Sequence, residues 1–224
     1  MTEIASHLKT IRQRMAAARP QKAAEAELIA VSKGQPPAAI EAALKAGQLA
    51  FGENRVQEAK TKFALLRPHW PDLRLHMIGP LQTNKAEDAV LLFDVIETLD
   101  RPRLADALAR AIKKLNRAPA LYIEVNIGNE PQKAGIEPDG LGVFLAYCRT
   151  ECGLTVTGLM AIPPQAEDTA PYFTKLKTLA DAHGLPHISM GMSADFEAAI
   201  RCGATEVRVG SALFGPRQDW RSLA

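Results

Sequence analysis

A lysine stands at the end of an apolar run, at the position where α/β proteins carry their chemistry. Lys33 follows the run over residues 28–32, which predicts a buried strand, and Gly34, Pro36 and Pro37 break the chain directly after it. A partly buried lysine at a strand end is suited to act as an amine nucleophile that forms a Schiff base with a carbonyl compound. Because the amine could equally extend to solvent, Lys33 alone leaves both interpretations open.

Two loops late in the sequence have the composition of an anion-binding site. Residues 189–193 combine serine, glycine and methionine just before a predicted helix, and a glycine and a serine follow the last apolar run. Backbone N–H groups and a serine hydroxyl at a helix N-terminus bind phosphate, and barrels frequently use the loops after strands seven and eight for it. Ordinary tight turns use the same residue types. The candidate phosphate-binding segments are therefore residues 189–193 and 209–212.

Strand and helix patterns alternate along the chain and predict the fold that positions these residues. After an N-terminal helix over residues 2–26, the predicted strands cover residues 28–32, 49–51, 73–79, 94–98, 120–126, 154–160, 187–190 and 205–210. The predicted helices between them cover residues 37–46, 56–66, 85–92, 101–115, 141–152, 166–183 and 195–201. The pattern predicts an α/β fold, a single parallel (β/α)8 TIM-type barrel domain over residues 1–224. An open doubly wound sheet is the alternative, because periodicity cannot show closure.

The C-terminal ends of the strands in such a barrel share one face, so Lys33 and the two loops should meet there. A Schiff-base lysine beside a phosphate site suits an aldehyde that carries a phosphate, and pyridoxal 5′-phosphate (PLP) is the simplest such compound. A sugar-phosphate lyase or aldolase that uses Lys33 is the alternative. Other polar residues expected on this face are Glu53, Asn54, His76, Glu124, Asn126, Ser189 and Arg208.

The composition gives no support to several other classes of function. The chain has 224 residues with 27 Lys+Arg and 25 Asp+Glu, and this balance predicts no nucleic-acid or anionic-membrane partner. Three cysteines without a Cys-x-x-Cys pair, and five histidines without ligand spacing, predict neither disulfides nor a metal site. No apolar stretch has the length of a membrane span or the form of a signal peptide, so we expect a cytoplasmic protein.

Six motifs in a fixed order give the chain a family resemblance. They are Ala30-Val31-Ser32-Lys33, Phe51-Gly52-Glu53-Asn54-Arg55-Val56-Gln57-Glu58, His76-Met77-Ile78-Gly79-Pro80-Leu81-Gln82-Thr83-Asn84-Lys85, Gly158-Leu159-Met160-Ala161-Ile162, Ser189-Met190-Gly191-Met192-Ser193 and Val207-Arg208-Val209-Gly210-Ser211. With these motifs, residues 28–217 resemble the PLP homeostasis protein family (the YggS/PROSC family), whose fold is similar to the barrel domain of alanine racemase. The resemblance implies a fold-type III PLP protein without the C-terminal β-domain.

The resemblance also implies roles for individual residues. Lys33 would carry PLP as a Schiff base, Arg208 would lie beside the pyridine nitrogen, and Asn54 would lie near the ring. The implied phosphate ligands are Met192, Ser193, Gly210 and Ser211. Gly34 departs from the family, which usually has a larger residue there, so we expect a looser loop after Lys33. The segment over residues 133–135 matches a family loop motif to which the sequence assigns no physical role.

Arg208 bears on whether the chain turns over a substrate. A guanidinium beside the pyridine nitrogen opposes its protonation and makes the ring a weaker electron sink, although racemases of this fold type also use an arginine. Alternatively, Arg208 pairs with Glu206 or Asp195. A two-base racemase needs a second acid/base, which in alanine racemase is a tyrosine from an additional β-domain. The tyrosines here, Tyr122, Tyr147 and Tyr172, fall in a predicted strand and two predicted helices.

Two hypotheses of different class follow. The first is a PLP-binding protein of intracellular PLP (vitamin B6) homeostasis that holds, buffers or delivers the cofactor without turnover, with apo-PLP enzymes as recipients. The second is a PLP-dependent amino-acid racemase, in which His76 or Glu53 could act as a base. Without a domain over the face that carries Lys33, we expect a monomer.

Overall fold

In the computed structural model, which describes residues 2–21, 23–165 and 168–216, eight parallel strands close into a barrel in chain order. The strands are β1 Glu27–Val31, β2 Ala50–Glu53, β3 Arg74–Met77, β4 Val95–Leu99, β5 Ala120–Glu124, β6 Val156–Met160, β7 His187–Met192 and β8 Glu206–Val209. The barrel closes where β1 pairs with β8, with Leu28 opposite Val207 and Ala30 opposite Val209. The predicted (β/α)8 barrel is confirmed, and the open sheet was the wrong alternative.

Helices cover the outside of the barrel. They are α1 Glu3–Ala18, α2 Pro37–Lys45, α3 Val56–Phe63, α4 Ala86–Leu92, α5 Pro102–Leu115, α6 Leu141–Thr150, α7 Ala170–Ala182, α8 Phe196–Arg201 and α9 Ser211–Phe214. The predicted start of the sixth inter-strand helix at residue 166, and the end of the family resemblance at residue 217, lie outside the described residues. Within the described ranges, no helix is both long enough and apolar enough to cross a membrane.

The interior of the barrel is filled by side chains rather than open. Successive residues of a strand alternate between the two faces, so Ile29, Val31 and Lys33 share the inner face of β1. A Cβ added to Gly52 would lie 3.0 Å from Ile78 and 3.2 Å from Ile29, so these strands meet in a closely packed inner layer. A cavity opens toward the C-terminal ends of the strands, which is where most of the predicted site residues lie.

The N-terminal helix is shorter than predicted. Residues 2–26 were expected to form it, but α1 ends at Ala18 because Arg19 precedes Pro20 and is held in an extended conformation. The buried face of α1 packs against α2, α8 and α9, beside the seam between β1 and β8. Arg14 fixes this packing through an ion pair with Glu197 at 2.6 Å. The helix therefore covers the line where the barrel closes.

Other boundaries differ by a few residues. β7 extends to Met192 rather than ending at residue 190, and Gly191 takes a φ of +88°, which glycine adopts without strain. β3 ends at Met77 rather than at residue 79. The short helix α9 after β8 was not predicted, because four residues carry too little periodicity to reveal a helix.

A polar cluster lies inside the barrel near the N-terminal ends of the strands. The Tyr122 hydroxyl donates to Glu206 Oε1 at 3.0 Å, and His187 Nδ1 lies 3.0 Å from the same oxygen. The rings of Tyr122 and His187 stack with centroids 5.5 Å apart. The hydrogen bond to Glu206 raises the pKa of His187. We call Tyr122, His187 and Glu206 the lower cluster.

The lower cluster makes stability depend on pH. Because the pKa of His187 is raised by folding, its charged form stabilises the protein below the unfolded value of about 6.5, and this contribution disappears as the pH rises through the folded value. We expect His187→Gln to lower the free energy of unfolding more at about pH 5.5 than at about pH 9, by less than about 1 kcal/mol because His187 is partly exposed. Urea unfolding measures this, with His69→Gln at an exposed site as control; equal losses at both pH values would contradict it.

Candidate functional site

Six of the seven predicted PLP-binding residues line one cavity at the C-terminal end of the barrel. The cavity has a volume of about 510 Å³. The predicted residues in its wall are Lys33, Met192, Ser193, Arg208, Gly210 and Ser211. Apolar parts of the wall come from Val31, Ile78 and Ile162. The cavity therefore combines an amine, a guanidinium and two loop segments around an apolar space.

Asn54 is the predicted residue that lies elsewhere. It lines a second cavity of about 520 Å³, whose wall also contains Met77 and Pro80, within two residues of Ile78. Its backbone is pressed against the end of β3, because a Cβ added to Gly79 would lie 2.5 Å from the Asn54 carbonyl oxygen. Glycine at position 79 thus permits the approach of these two loops, and Asn54 faces the space beside the first cavity.

Lys33 is held through the backbone on both of its sides. Lys62 Nζ donates to the Ser32 carbonyl at 2.8 Å, and the Gly34 N–H donates to Glu58 Oε1 at 2.7 Å. Gly34 has a φ of +71°, a left-handed conformation that disfavours any larger residue. The glycine that departs from the family pattern thus suits this turn, and Glu58 holds the N–H that follows the lysine.

The groups that hold Lys33 form a buried ion cluster, the Lys62 cluster, of Ser32, Glu53, Glu58 and Lys62. Lys62 Nζ lies 2.5 Å from Glu53 Oε1 and 3.0 Å from Glu58 Oε1, and its side chain is fully buried. The Ser32 hydroxyl donates to Glu53 at 2.7 Å. Burial raises the pKa of Glu53, although the charge of Lys62 opposes the rise. Glu53 therefore points into this cluster and does not line the cavity as a candidate base would.

The two loops with predicted anion-binding composition are joined by Ser193. Its hydroxyl accepts hydrogen bonds from the N–H groups of Gly210 at 3.3 Å and Ala212 at 3.5 Å. The Met192 N–H donates to Asp195 Oδ1 at 2.7 Å, which fixes the start of the strand-seven loop. A Cβ added to Gly210 would lie 3.3 Å from Val31, so glycine lets the end of β8 approach β1 closely. The loops thus form one continuous wall of the cavity.

Arg208 reaches the cavity from a buried chain of hydrogen bonds. Its Nη1 donates to Ser189 Oγ at 2.6 Å, and that hydroxyl donates to Glu97 Oε2 at 2.6 Å. Glu97 Oε1 lies 2.7 Å from His76 Nδ1. We call Arg208, Ser189, Glu97 and His76 the Arg208 chain. The nearest carboxylate to Arg208 is thus Glu97, at 3.8 Å, rather than Glu206 or Asp195, and His76 lies below the cavity.

Glu124, near Arg208, and Arg208 itself both have shifted pKa values. Burial raises the pKa of Glu124 to about 7, and the negative charge of Asp100 adds to the effect while Arg208 opposes it. Burial also lowers the pKa of Arg208, although the charges of Glu97 and Glu124 oppose the change. The interior below the cavity thus holds a buried cation among several carboxyl groups.

The loop over residues 133–135 closes the barrel rim between β5 and β6. A Cβ added to Gly135 would lie 2.6 Å from the backbone nitrogen of Asn126, so only glycine allows this contact. Lys133 Nζ donates to the Pro163 carbonyl at 3.1 Å and pairs with Glu130. This motif therefore has a packing role that the sequence did not reveal.

The described residues contain no set of side chains suited to bind a metal ion. In the described ranges 2–21, 23–165 and 168–216, no group of three or more His, Cys, Asp or Glu side chains could hold a metal ion.

The sequence analysis did not predict Lys62, Glu58 and Glu97 as parts of the site. The signals were a charged residue inside the apolar run of β4, and a Glu–Lys pair four residues apart on α3 directly after the Gly52-Glu53-Asn54 motif.

The fold and the site define the class of protein. Residues 5–218 match the family described as alanine racemase, N-terminal domain. The structure of alanine racemase from Corynebacterium glutamicum superposes with a TM-score of 0.70 at 21% identity, covering 96% of this chain and 60% of that one. This likeness concerns the fold alone. The chain is thus an alanine racemase-type barrel.

The narrower family follows from more similar proteins. The chain is 43% identical to the pyridoxal phosphate homeostasis protein of Aquifex aeolicus, covering 86% of this chain and 88% of the relative. It is 38% identical to the protein of that name from Escherichia coli, covering 97% and 98%. The structure of PipY from Synechococcus elongatus with PLP bound has a TM-score of 0.83 at 38% identity, covering 95% and 100%. The chain belongs to the pyridoxal phosphate homeostasis protein family.

Removing the cation of the Lys62 cluster should destabilise the protein strongly. Lys62→Met leaves two buried carboxyl groups without their counter-charge, so we expect a loss of about 3–5 kcal/mol in the free energy of unfolding. Urea unfolding measures the loss. Lys60→Met, on the same helix but exposed, is the matched control and should change stability by less than about 0.5 kcal/mol. Similar small effects of both substitutions would show that the cluster does not stabilise the fold.

Proposed function

We propose that this chain binds PLP on Lys33 and acts in PLP homeostasis by holding, buffering or delivering the cofactor. The observation that carries the proposal is the convergence of Lys33 and five other predicted PLP ligands on one cavity. The names of the relatives and the PLP-bound structure of PipY support it. The proposed ligand set is Lys33, Asn54, Met192, Ser193, Arg208, Gly210 and Ser211.

The cavity fits PLP in its size and in the kinds of chemical group that line it. A volume of about 510 Å³ is within the range of small-molecule sites. The Lys33 amine suits the aldehyde, and the loops joined by Ser193, which line the same cavity, suit the phosphate. Arg208 also lines this cavity, where it would face the ring nitrogen. Asn54, beside the first cavity, completes the proposed set.

Bound PLP supplies an aldehyde that condenses with a lysine amine to a Schiff base, together with a ring that withdraws electrons. The residues of this chain orient and restrain it. The Lys62 cluster holds the backbone on both sides of Lys33, which limits the positions of the amine. Beside the ring nitrogen, the Arg208 guanidinium would disfavour protonation of that nitrogen, and this would reduce the electron withdrawal that substrate turnover needs.

The racemase alternative is not favoured. Among the described residues, the cavity wall contains none of Tyr122, Tyr147 and Tyr172, which lie in β5, α6 and α7. Glu53 is bonded to Lys62 and His76 is bonded to Glu97, so neither candidate base faces the cavity. A protein with these contacts is better suited to hold PLP than to exchange a proton on a substrate.

We propose that the protein is a single-domain monomer in the cytoplasm and that it passes PLP to apo-enzymes. The free thiols of Cys148, Cys152 and Cys202 support a reducing compartment. The most exposed large apolar side chains of the described residues are Leu65, just after α3, and Val143, in α6. Since α4 and α5 lie between α3 and α6 around the barrel, these two side chains do not share one surface patch.

Chemical trapping tests the Schiff base. Borohydride reduction of the protein loaded with PLP, followed by proteolysis and mass measurement, should find a phosphopyridoxyl group on the peptide that contains Lys33. The peptides that contain Lys62 and Lys85 are internal controls and should stay unmodified. An unmodified Lys33 peptide after loading would contradict the proposal.

Isotope exchange separates a PLP carrier from a racemase. We expect no stereospecific exchange of the α-hydrogen when the PLP-loaded protein is incubated with a panel of L-amino acids in deuterated water, because neither candidate base, Glu53 or His76, is among the described residues of the cavity wall. Proton NMR of the amino acids measures the exchange. Exchange that is present in the wild-type protein and absent from Lys33→Ala would overturn the carrier function.

A further inference from the structure

The Arg208 chain has a fixed direction. A guanidinium only donates hydrogen bonds and a carboxylate only accepts them, so the Ser189 hydroxyl must accept from Arg208 and donate to Glu97. Burial alone would raise the pKa of Glu97, but the hydrogen bond and charge of His76, the charge of Arg208 and the Ser189 bond outweigh it and lower the pKa. Glu97 is therefore an anion, and His76 donates to it through Nδ1.

Ser189 stands between two opposite charges. Arg208 Nη1 lies 3.8 Å from Glu97 Oε2, beyond direct hydrogen-bonding distance, and the Ser189 hydroxyl bridges the gap. The other end of the guanidinium is fixed, because Nη2 donates to the Ala161 carbonyl at 2.9 Å. Without the hydroxyl, the attraction between the buried charges would draw Nη1 onto Glu97 and away from the cavity that Arg208 lines.

We propose that Ser189 and Glu97 are positioning residues for Arg208, in which the Ser189 hydroxyl is a spacer and Glu97 is the buried counter-charge. The spacer keeps the guanidinium extended toward the cavity, and the counter-charge compensates its positive charge in the buried interior. The inference rests on the proposed function, because Arg208 would face the ring nitrogen of bound PLP. It adds that residues inside the barrel, and not only those in the cavity wall, influence the protonation state of that nitrogen.

Ser189→Ala tests the spacer. The variant removes one buried hydroxyl, and Arg208 should then pair directly with Glu97 and retreat from the ring nitrogen. We expect the dissociation constant for PLP to rise about tenfold, the size of a lost hydrogen bond to a charged group. The absorption maximum of bound PLP and its dependence on pH should also shift. Fluorescence titration with PLP and absorption spectra over a pH series measure these effects.

Two variants separate positioning from a general loss of packing. Ser189→Thr retains the hydroxyl and should restore the wild-type spectrum and most of the affinity. Tyr122→Phe is the matched control, because it also removes a buried hydroxyl that donates to an interior glutamate, at 3.0 Å from Glu206. Since Tyr122 belongs to the lower cluster, its variant should bind PLP with wild-type affinity and spectrum.

Each outcome bears on one of the two proposals. If PLP is not trapped on Lys33 of the wild-type protein, the proposed function is wrong and the inference falls with it. If PLP is trapped but Ser189→Ala keeps the wild-type affinity and spectrum, the spacer role is wrong and the proposed function stands. Equal effects of Ser189→Ala and Tyr122→Phe would also overturn the spacer role, because removal of a buried hydroxyl from either cluster would then change PLP binding to the same extent.

Discussion

The pairing of β1 with β8 is the constraint on which the site depends. It places the end of the first strand, with Lys33, beside the end of the last, with Gly210 and Ser211. Groups from opposite ends of the sequence thus become walls of one cavity. A Cβ at Gly210 would lie 3.3 Å from Val31, so the register at this seam leaves little freedom. A sheet with the same strands in chain order but without the β1–β8 pairing would place Lys33 at one edge and the loop after β8 at the other.

Buried charge organises the rest of the site. Lys62 fixes the backbone around Lys33 from outside the barrel, and Glu97 fixes Arg208 from inside it. In both cases an ion is removed from water and compensated by several hydrogen bonds, which favours one geometry over its neighbours. The reactive amine and the guanidinium therefore have little room to adjust to different substrates. Such rigidity is better suited to holding one ligand than to following a reaction through several states.

The fold could be predicted because its signals are local. Each strand is an apolar run followed by a helix, and the lysine at the end of the first run falls on the active face of any such barrel. The sequence signal for Lys62 was weak, since a Glu58–Lys62 pair on a helix is ordinarily an exposed ion pair. Glu97 gave a clearer signal, as a charge within a buried strand, but its partners lie on three other strands. Periodicity carries no information about such contacts across elements.

The packing of helix α1 also affects how the chain folds during its synthesis on the ribosome. Leu8, Ile11 and Met15 of α1 leave the ribosome long before the helices α8 and α9, against which α1 packs. The part of the apolar face of α1 that α8 and α9 cover must therefore remain exposed while nearly the whole barrel is made, and the seam can close only after release of β8. A nascent chain in this condition exposes hydrophobic surface to other proteins, so chaperone capture is expected to act on the first helix.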